Sequence, residues 1–122
     1  MQLGISNRKI LSFRYAIVGI VSALKEEPNL KFHFLAAVFV ISLSIILNIS
    51  RIDWMIVLFL TGFVISVELT NTAIEAIVDA FTEKEHPGAK LAKDISAGAV
   101  LIAAATSTIL GLLIFLPYIT NG

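Results

Sequence analysis

The sequence predicts an all-α integral membrane protein, with one N-terminal amphipathic surface helix followed by three transmembrane helices. Two observations point there. Of 122 residues, 57% are hydrophobic and 15% are charged, whereas a soluble domain of this size is usually nearer half apolar and a quarter charged. The charges are also clustered, so that long segments carry none. In lipid such segments must satisfy their own backbone hydrogen bonds, which here means helices. A single domain, 1–122, is expected. The absence of cysteine excludes disulfides, a thiolate nucleophile and cysteine-based metal sites. The first 25 residues lack a compact apolar stretch followed by a small-residue cleavage site, so no cleavable signal peptide is expected. The formal net charge is zero, and no nucleic-acid partner is expected.

Residues 1–7 read as frayed. Over 8–25 the pattern is amphipathic: Ile10, Phe13, Ile17, Ile20, Val21 and Leu24 fall within an arc of roughly 100°. Ser12, Tyr15, Gly19, Ser22 and Lys25 take the other side, and Arg8, Lys9 and Arg14 suit an anionic membrane surface. Such a helix lies on the bilayer without crossing it; a helix packed on the aqueous side of the bundle has the same pattern. Pro28 breaks it, because proline cannot donate to the helix and pushes Glu27 towards an extended conformation. No formally charged residue occurs between Lys31 and Arg51, about 19 residues where ~20 are needed to cross. The first span is therefore expected over 31–49, with Lys31 and His33 at headgroup depth. A short turn follows over 48–53, and Trp54 is expected to anchor the interface. The second span is expected over 53–81. A polar loop with Pro87 and Gly88 as punctuation leads to the third span, over 89–117. There Ala97, Gly98 and Ala99, with Ala103, Ala104 and Ala105, offer close helix contact, and Pro117 is expected to end it.

Orientation follows from counting lysine and arginine near the spans. Arg8, Lys9, Arg14, Lys25 and Lys31 precede the first span, and Lys84, Lys90 and Lys93 flank the loop before the third; the turn between the first two has only Arg51. The N-terminus and residues 82–94 are thus expected on the cytoplasmic side, and the C-terminus outside.

The second span contains the anomaly. After the uncharged run 54–67 come Glu68, Asn71, Glu75 and Asp79. At about 100° per residue these four lie within roughly 80° of one another, one stripe on one face. Ionisable groups in hydrocarbon are expensive, so each marks a candidate functional site; the blander alternative is polar contact between packed helices. At 1.5 Å per residue, Glu68 lies ~22 Å along from Asp53 and Asp79 ~39 Å along, so the stripe climbs out of the membrane. Glu26 and Glu27, at the break before the first span, reach the same side as Glu75 and Asp79. An all-oxygen set suits Mg²⁺, which typically takes one or two carboxylates plus substrate phosphates. Lys90 and Lys93 could neutralise phosphate charge, and Asn71 could orient a carboxylate or phosphate. Glu68, the deepest acid, would meet a lipid hydroxyl. The combination reads as phosphoryl transfer from a nucleotide to a lipid alcohol. No GxxxxGK[ST] loop and no kinase glycine-rich loop is present, so the nucleotide would be held without either. A carboxylate stripe alone also fits a small oligomeric protein that conducts protons or cations, but that leaves Lys90, Lys93 and the cytoplasmic carboxylates without a role.

Glu68, Asn71, Thr72, Ala73, Ile74, Glu75 and Asp79 together resemble the pattern E-x-x-N-[ST]-A-I-E-x-x-x-D of the small prokaryotic diacylglycerol kinase and undecaprenol kinase family. His86, Pro87, Ala89, Lys90, Lys93, Asp94, Ala97, Gly98 and Ala99 resemble its second block. The resemblance implies a homotrimeric helical bundle of three-span subunits in the bacterial cell membrane, with ATP- and Mg²⁺-dependent active sites between subunits at the cytoplasmic interface. By the same resemblance Glu68 is the catalytic base and Asn71 its orienting amide. Glu27 and Glu75 hold the metal and Lys93 contacts phosphate. Asp79 and Asp94 lie near the nucleotide, and His86 lies near the adenine. Around Lys31, Phe32 and His33, and again in the block from His86, the sequence is similar to the Gram-positive type, which mainly phosphorylates undecaprenol; the alternative acceptor is diacylglycerol. The trimer also has a physical motive, since three helices cannot fully enclose so long a polar stripe.

Overall fold

The computed structural model describes residues 5–82 and 84–121. It consists of four helices: α1 (Ile5–Glu26), α2 (Pro28–Leu47), α3 (Arg51–Phe81) and α4 (Pro87–Thr120). Among the described residues there is no strand. Of the stretch 1–7 expected to fray, residues 1–4 lie outside the described residues, and α1 already begins at Ile5.

The joints follow from local chemistry. Glu27 alone separates α1 from α2. Its backbone is extended (φ −106°, ψ 111°) with Pro28 as the first helical residue, the placement in which a missing N–H costs nothing and the preceding residue is driven out of the helical region. Asn48 ends α2 in the left-handed conformation (φ 51°), which asparagine tolerates better than most residues. Ser50 opens α3 by accepting a hydrogen bond from the Asp53 N–H at 3.2 Å, and Asp53 places a negative charge on that helix's first turn, where the dipole favours it. His86 caps α4, its Nδ1 accepting from the Gly88 N–H at 3.0 Å.

Pro117 was expected to end the third span, but α4 continues through it to Thr120. Proline costs one helical hydrogen bond and a clash with the carbonyl four residues back. That cost falls in the last turn, and the Asn121 N–H still bonds to the Pro117 carbonyl at 3.0 Å. Continuing the helix also holds Tyr118 where it bridges to the start of α3. The Tyr118 hydroxyl donates to Asp53 Oδ2 at 2.6 Å and accepts from the Ser50 N–H at 2.9 Å. Beneath this latch Ile49, Val57, Ile114 and Phe115 form a buried cluster, with Trp54 packed against it. Trp54 therefore packs within the bundle, against this cluster. Losing a bond to a charged acceptor costs more than losing a neutral one. Tyr118→Phe is expected to destabilise the fold by about 1.5 kcal/mol; an unfolding midpoint in detergent equal to that of the unaltered protein would show that the latch carries nothing.

α3 packs most extensively on α4 and next on α2, while α1 rests against α2 and α3. The pairing of Asp53 with Tyr118 at one end and of Asp79 with Lys93 at the other makes α3 and α4 antiparallel. Apolar side chains point outwards along all three long helices, among them Leu35, Phe39, Ile46, Phe59, Leu101 and Leu113. Such a surface is unfavourable in water. α2, α3 and α4 are each long and apolar enough to cross a membrane. On α1 the apolar arc divides: Ile20 and Leu24 turn half-buried towards the bundle, whereas Ile10, Phe13, Ile17 and Val21 are exposed.

Candidate active site

The polar stripe of α3 runs from interior to surface. Glu68 is 2% exposed and Asn71 6%, Glu75 is half-buried and Asp79 exposed. A carboxylate buried this completely is costly unless partnered. One partner comes from α2, with His33 Nε2 3.6 Å from Glu68 Oε2, and the Asn71 amide is another. Glu27 and Glu75 also stand near enough to Glu68 for like-charge repulsion, so three carboxylates converge from α3 and the joint before α2. Glu27 is half-buried while its neighbour Glu26 is exposed, which favours Glu27 of the two as the member of this group.

A hydrogen-bonded chain fixes the next turn. Ser96 Oγ on α4 donates to Asn71 Oδ1 at 2.6 Å, with both residues buried. The Asn71 amide in turn donates to Glu75 Oε1 at 3.4 Å, a long contact. Because Ser96 occupies the oxygen of Asn71, its NH₂ is left to face the carboxylates, so the amide is oriented as a donor. Beyond Glu75, Lys93 Nζ pairs with Asp79 Oδ1 at 2.9 Å. The remaining sequence-derived residues stand apart from this cluster. Asp94 pairs with Lys90 across one helical turn at 2.6 Å, both exposed, and His86 serves as the exposed cap of α4.

Two residues of the site were not identified from the sequence as part of it. Ser96 carries a usable signal, a lone hydroxyl three residues beyond Lys93 in an otherwise apolar stretch. His33 was read as an interfacial residue, and only the packing of α2 on α3 reveals its partner.

An apolar groove of about 510 Å³ runs between α2, α3 and α4. Its walls extend from Phe32 and His33 past Val40 and Val64 to Phe115 and Ile119, most of the length of a span. At one end stands His33, 3.6 Å from Glu68, and the groove is otherwise mostly apolar, with the hydroxyls of Thr61, Ser107 and Thr108 among its lining. Among the described residues no three His, Asp or Glu side chains stand as a ready-made metal cage. Mg²⁺ ordinarily uses one or two carboxylates together with phosphate oxygens, and Glu27 and Glu75, both close to Glu68, are donors of that chemical type.

A membrane-type helical bundle with a buried acid beside an apolar groove and carboxylates rising to a lysine is the arrangement expected of an enzyme acting on a lipid head. Comparison with known proteins agrees. The family model described as Prokaryotic diacylglycerol kinase matches residues 14–115, and the chain belongs to this family. It is 49% identical to the undecaprenol kinase of Bacillus subtilis over 91% of this chain and 90% of that protein. It is 37% identical to the diacylglycerol kinase of a Synechocystis species over 88% of this chain and 62% of that protein. A diacylglycerol kinase of Pseudomonas aeruginosa is 30% identical over 78% of this chain and 77% of that protein. The protein is accordingly a lipid kinase, with a lipid substrate and a nucleotide phosphoryl donor. The ion-conducting alternative is set aside on the same finding.

Proposed function

We propose that this kinase transfers the γ-phosphoryl group of ATP to undecaprenol, giving undecaprenyl phosphate, with Mg²⁺ as cofactor. The observation that carries the reading is Glu68, a carboxylate 2% exposed next to the imidazole that ends the apolar groove. An acceptor whose tail lies among hydrocarbon would bring its hydroxyl to that point. Glu68 is the base that takes the hydroxyl proton as the oxygen attacks the γ-phosphorus, whose bond to the β,γ-bridging oxygen breaks to release ADP. Asn71, held by Ser96, orients the carboxylates on either side of it. Glu27 and Glu75 would hold Mg²⁺, which when bound neutralises phosphate charge and orients the transferred group. Lys93 adds a positive charge on the nucleotide side, beside Asp79, and Asp94 and His86 lie on that same side of the bundle.

The choice of undecaprenol over diacylglycerol is supported by the higher identity to the Bacillus subtilis enzyme, 49% against 37% and 30%, and by the residues around His33 and His86 that resemble the Gram-positive type. The same reading places the enzyme in the bacterial cell membrane as a homotrimer. The surface helix would span 8–25 and the three spans 31–49, 53–81 and 89–117. The N-terminus and the site face the cytoplasm, and the C-terminus faces outwards. Exposed apolar faces on all three long helices and a stripe that one chain leaves partly open support shared sites.

Transfer of radiolabelled phosphate from ATP in mixed micelles, with undecaprenol and diacylglycerol run side by side, tests the proposal. Undecaprenol is expected to be phosphorylated with the higher kcat/KM. Preference for diacylglycerol would reassign the substrate, and no labelled lipid from either would end the proposal. Native mass spectrometry of the same preparation should show three copies; a fully active monomer would contradict sites built between subunits.

A further inference from the structure

His33 has two neighbours of opposite character. His33 lines the apolar groove, and its Nε2 lies 3.6 Å from Glu68 Oε2, with the two side chains 14% and 3% exposed. At 3.6 Å the contact is longer than a direct hydrogen bond, and it brings together two largely buried polar groups. The Phe32 ring meets the imidazole edge-on, with centroids 5.6 Å apart and planes at 74°. Around Glu68, Glu27 and Glu75 repel the carboxylate, whereas His33 from α2 and the Asn71 amide from its own helix favour it. A carboxylate acting as a base needs one oxygen aimed at the hydroxyl, and its second oxygen is what another group can hold.

We propose that His33 is a positioning residue for the reaction: it holds Glu68 Oε2 from α2, so that Oε1 is turned to the acceptor hydroxyl arriving from the groove. The lipid hydroxyl loses its proton to Oε1, and His33 gains and loses nothing. The inference rests on Glu68 being the base.

The test uses three substitutions in the full chain, alone and combined with Glu68→Gln, in mixed micelles with whichever lipid the unaltered enzyme phosphorylates. His33→Leu removes the donor. His33→Gln keeps an N–H at about the reach of Nε2, and His33→Asn carries one only to the reach of Nδ1. His33→Leu is expected to lower kcat by roughly ten- to a hundredfold, part of the 10²–10⁴ that a general base supplies, with Mg·ATP affinity changed by less than about twofold. His33→Gln should recover most of the loss and His33→Asn little of it. In the Glu68→Gln background His33→Leu should cost less than about twofold more, because both changes remove one function. An equal further loss in that background, or a loss of nucleotide affinity parallel to the loss in kcat, would overturn the assignment. Should His33→Leu fail to bind Mg·ATP at all, the amide pair decides: equal activity of the Gln and Asn variants overturns it. An unaltered enzyme that phosphorylates no lipid refutes the kinase reading of the site and this inference with it. An active enzyme indifferent to His33→Leu refutes this inference alone.

Discussion

Glu68→Gln is expected to lower kcat for lipid phosphorylation by about 10²–10⁴, the range a general base contributes, while Mg·ATP binding stays within severalfold of the unaltered enzyme. Glutamine matches glutamate in shape and keeps a polar group at a site that is 2% exposed, so the substitution opens no cavity. It removes the repulsion from Glu27 and Glu75 together with the attraction to His33, so the electrostatic losses and gains oppose each other. What it removes is the lone pair that accepts the hydroxyl proton. Single-turnover measurement of phosphoryl transfer, paired with equilibrium binding of Mg·ATP, separates the two effects. A rate within threefold of the unaltered enzyme would move the base elsewhere on the stripe. Loss of nucleotide binding with the rate otherwise preserved would put the nucleotide, and not the lipid, at the buried end.

The helices and the stripe were legible because both are properties of one helix at a time. Periodicity alone places Glu68, Asn71, Glu75 and Asp79 on one face, and in the structure exposure does rise along them from Glu68 to Asp79. The joints at Pro28 and Pro87 were legible for the same reason, since proline acts on its immediate neighbours. Pairings between helices were not, because they depend on how far one helix slides along another, and no single-helix pattern records that. His33 and Glu68 are separated by one span and a turn, and their contact exists only in the register of α2 on α3. Ser96 and Asn71 meet through the register of α4 on α3. Pro117 was misread because its local cost is real but small at a helix end, and what carries α4 past it is Tyr118, reaching back to Asp53. The site residues marked by charge in an apolar run were therefore found, while those that support them, a histidine and a serine of ordinary appearance, were not.

Glu75→Gln should do the converse of Glu68→Gln. Under the proposed division Glu75 holds Mg²⁺ on the nucleotide side, seven residues or ~10 Å along α3 from the base. Removing one charged oxygen from a site that offers two carboxylates should weaken Mg·ATP binding by at least about tenfold, since even outer-shell substitutions cost 10–100-fold in metal affinity. Raised Mg²⁺ should restore part of that affinity, because mass action compensates for a weakened ligand. The neighbouring geometry limits collateral damage. Glu75 is half-buried, and the hydrogen bond it accepts from the Asn71 amide at 3.4 Å can be kept by the glutamine oxygen. Asn71 itself stays fixed by Ser96. Titration calorimetry of Mg·ATP at two Mg²⁺ concentrations reads the effect without relying on turnover. Unchanged affinity at both concentrations would remove Glu75 from the metal set. Weakened affinity that no excess of Mg²⁺ improves would make Glu75 a ligand for the nucleotide itself. If Glu75→Gln spares nucleotide binding and Glu68→Gln abolishes it, the order of lipid and nucleotide along the stripe is the reverse of the one proposed.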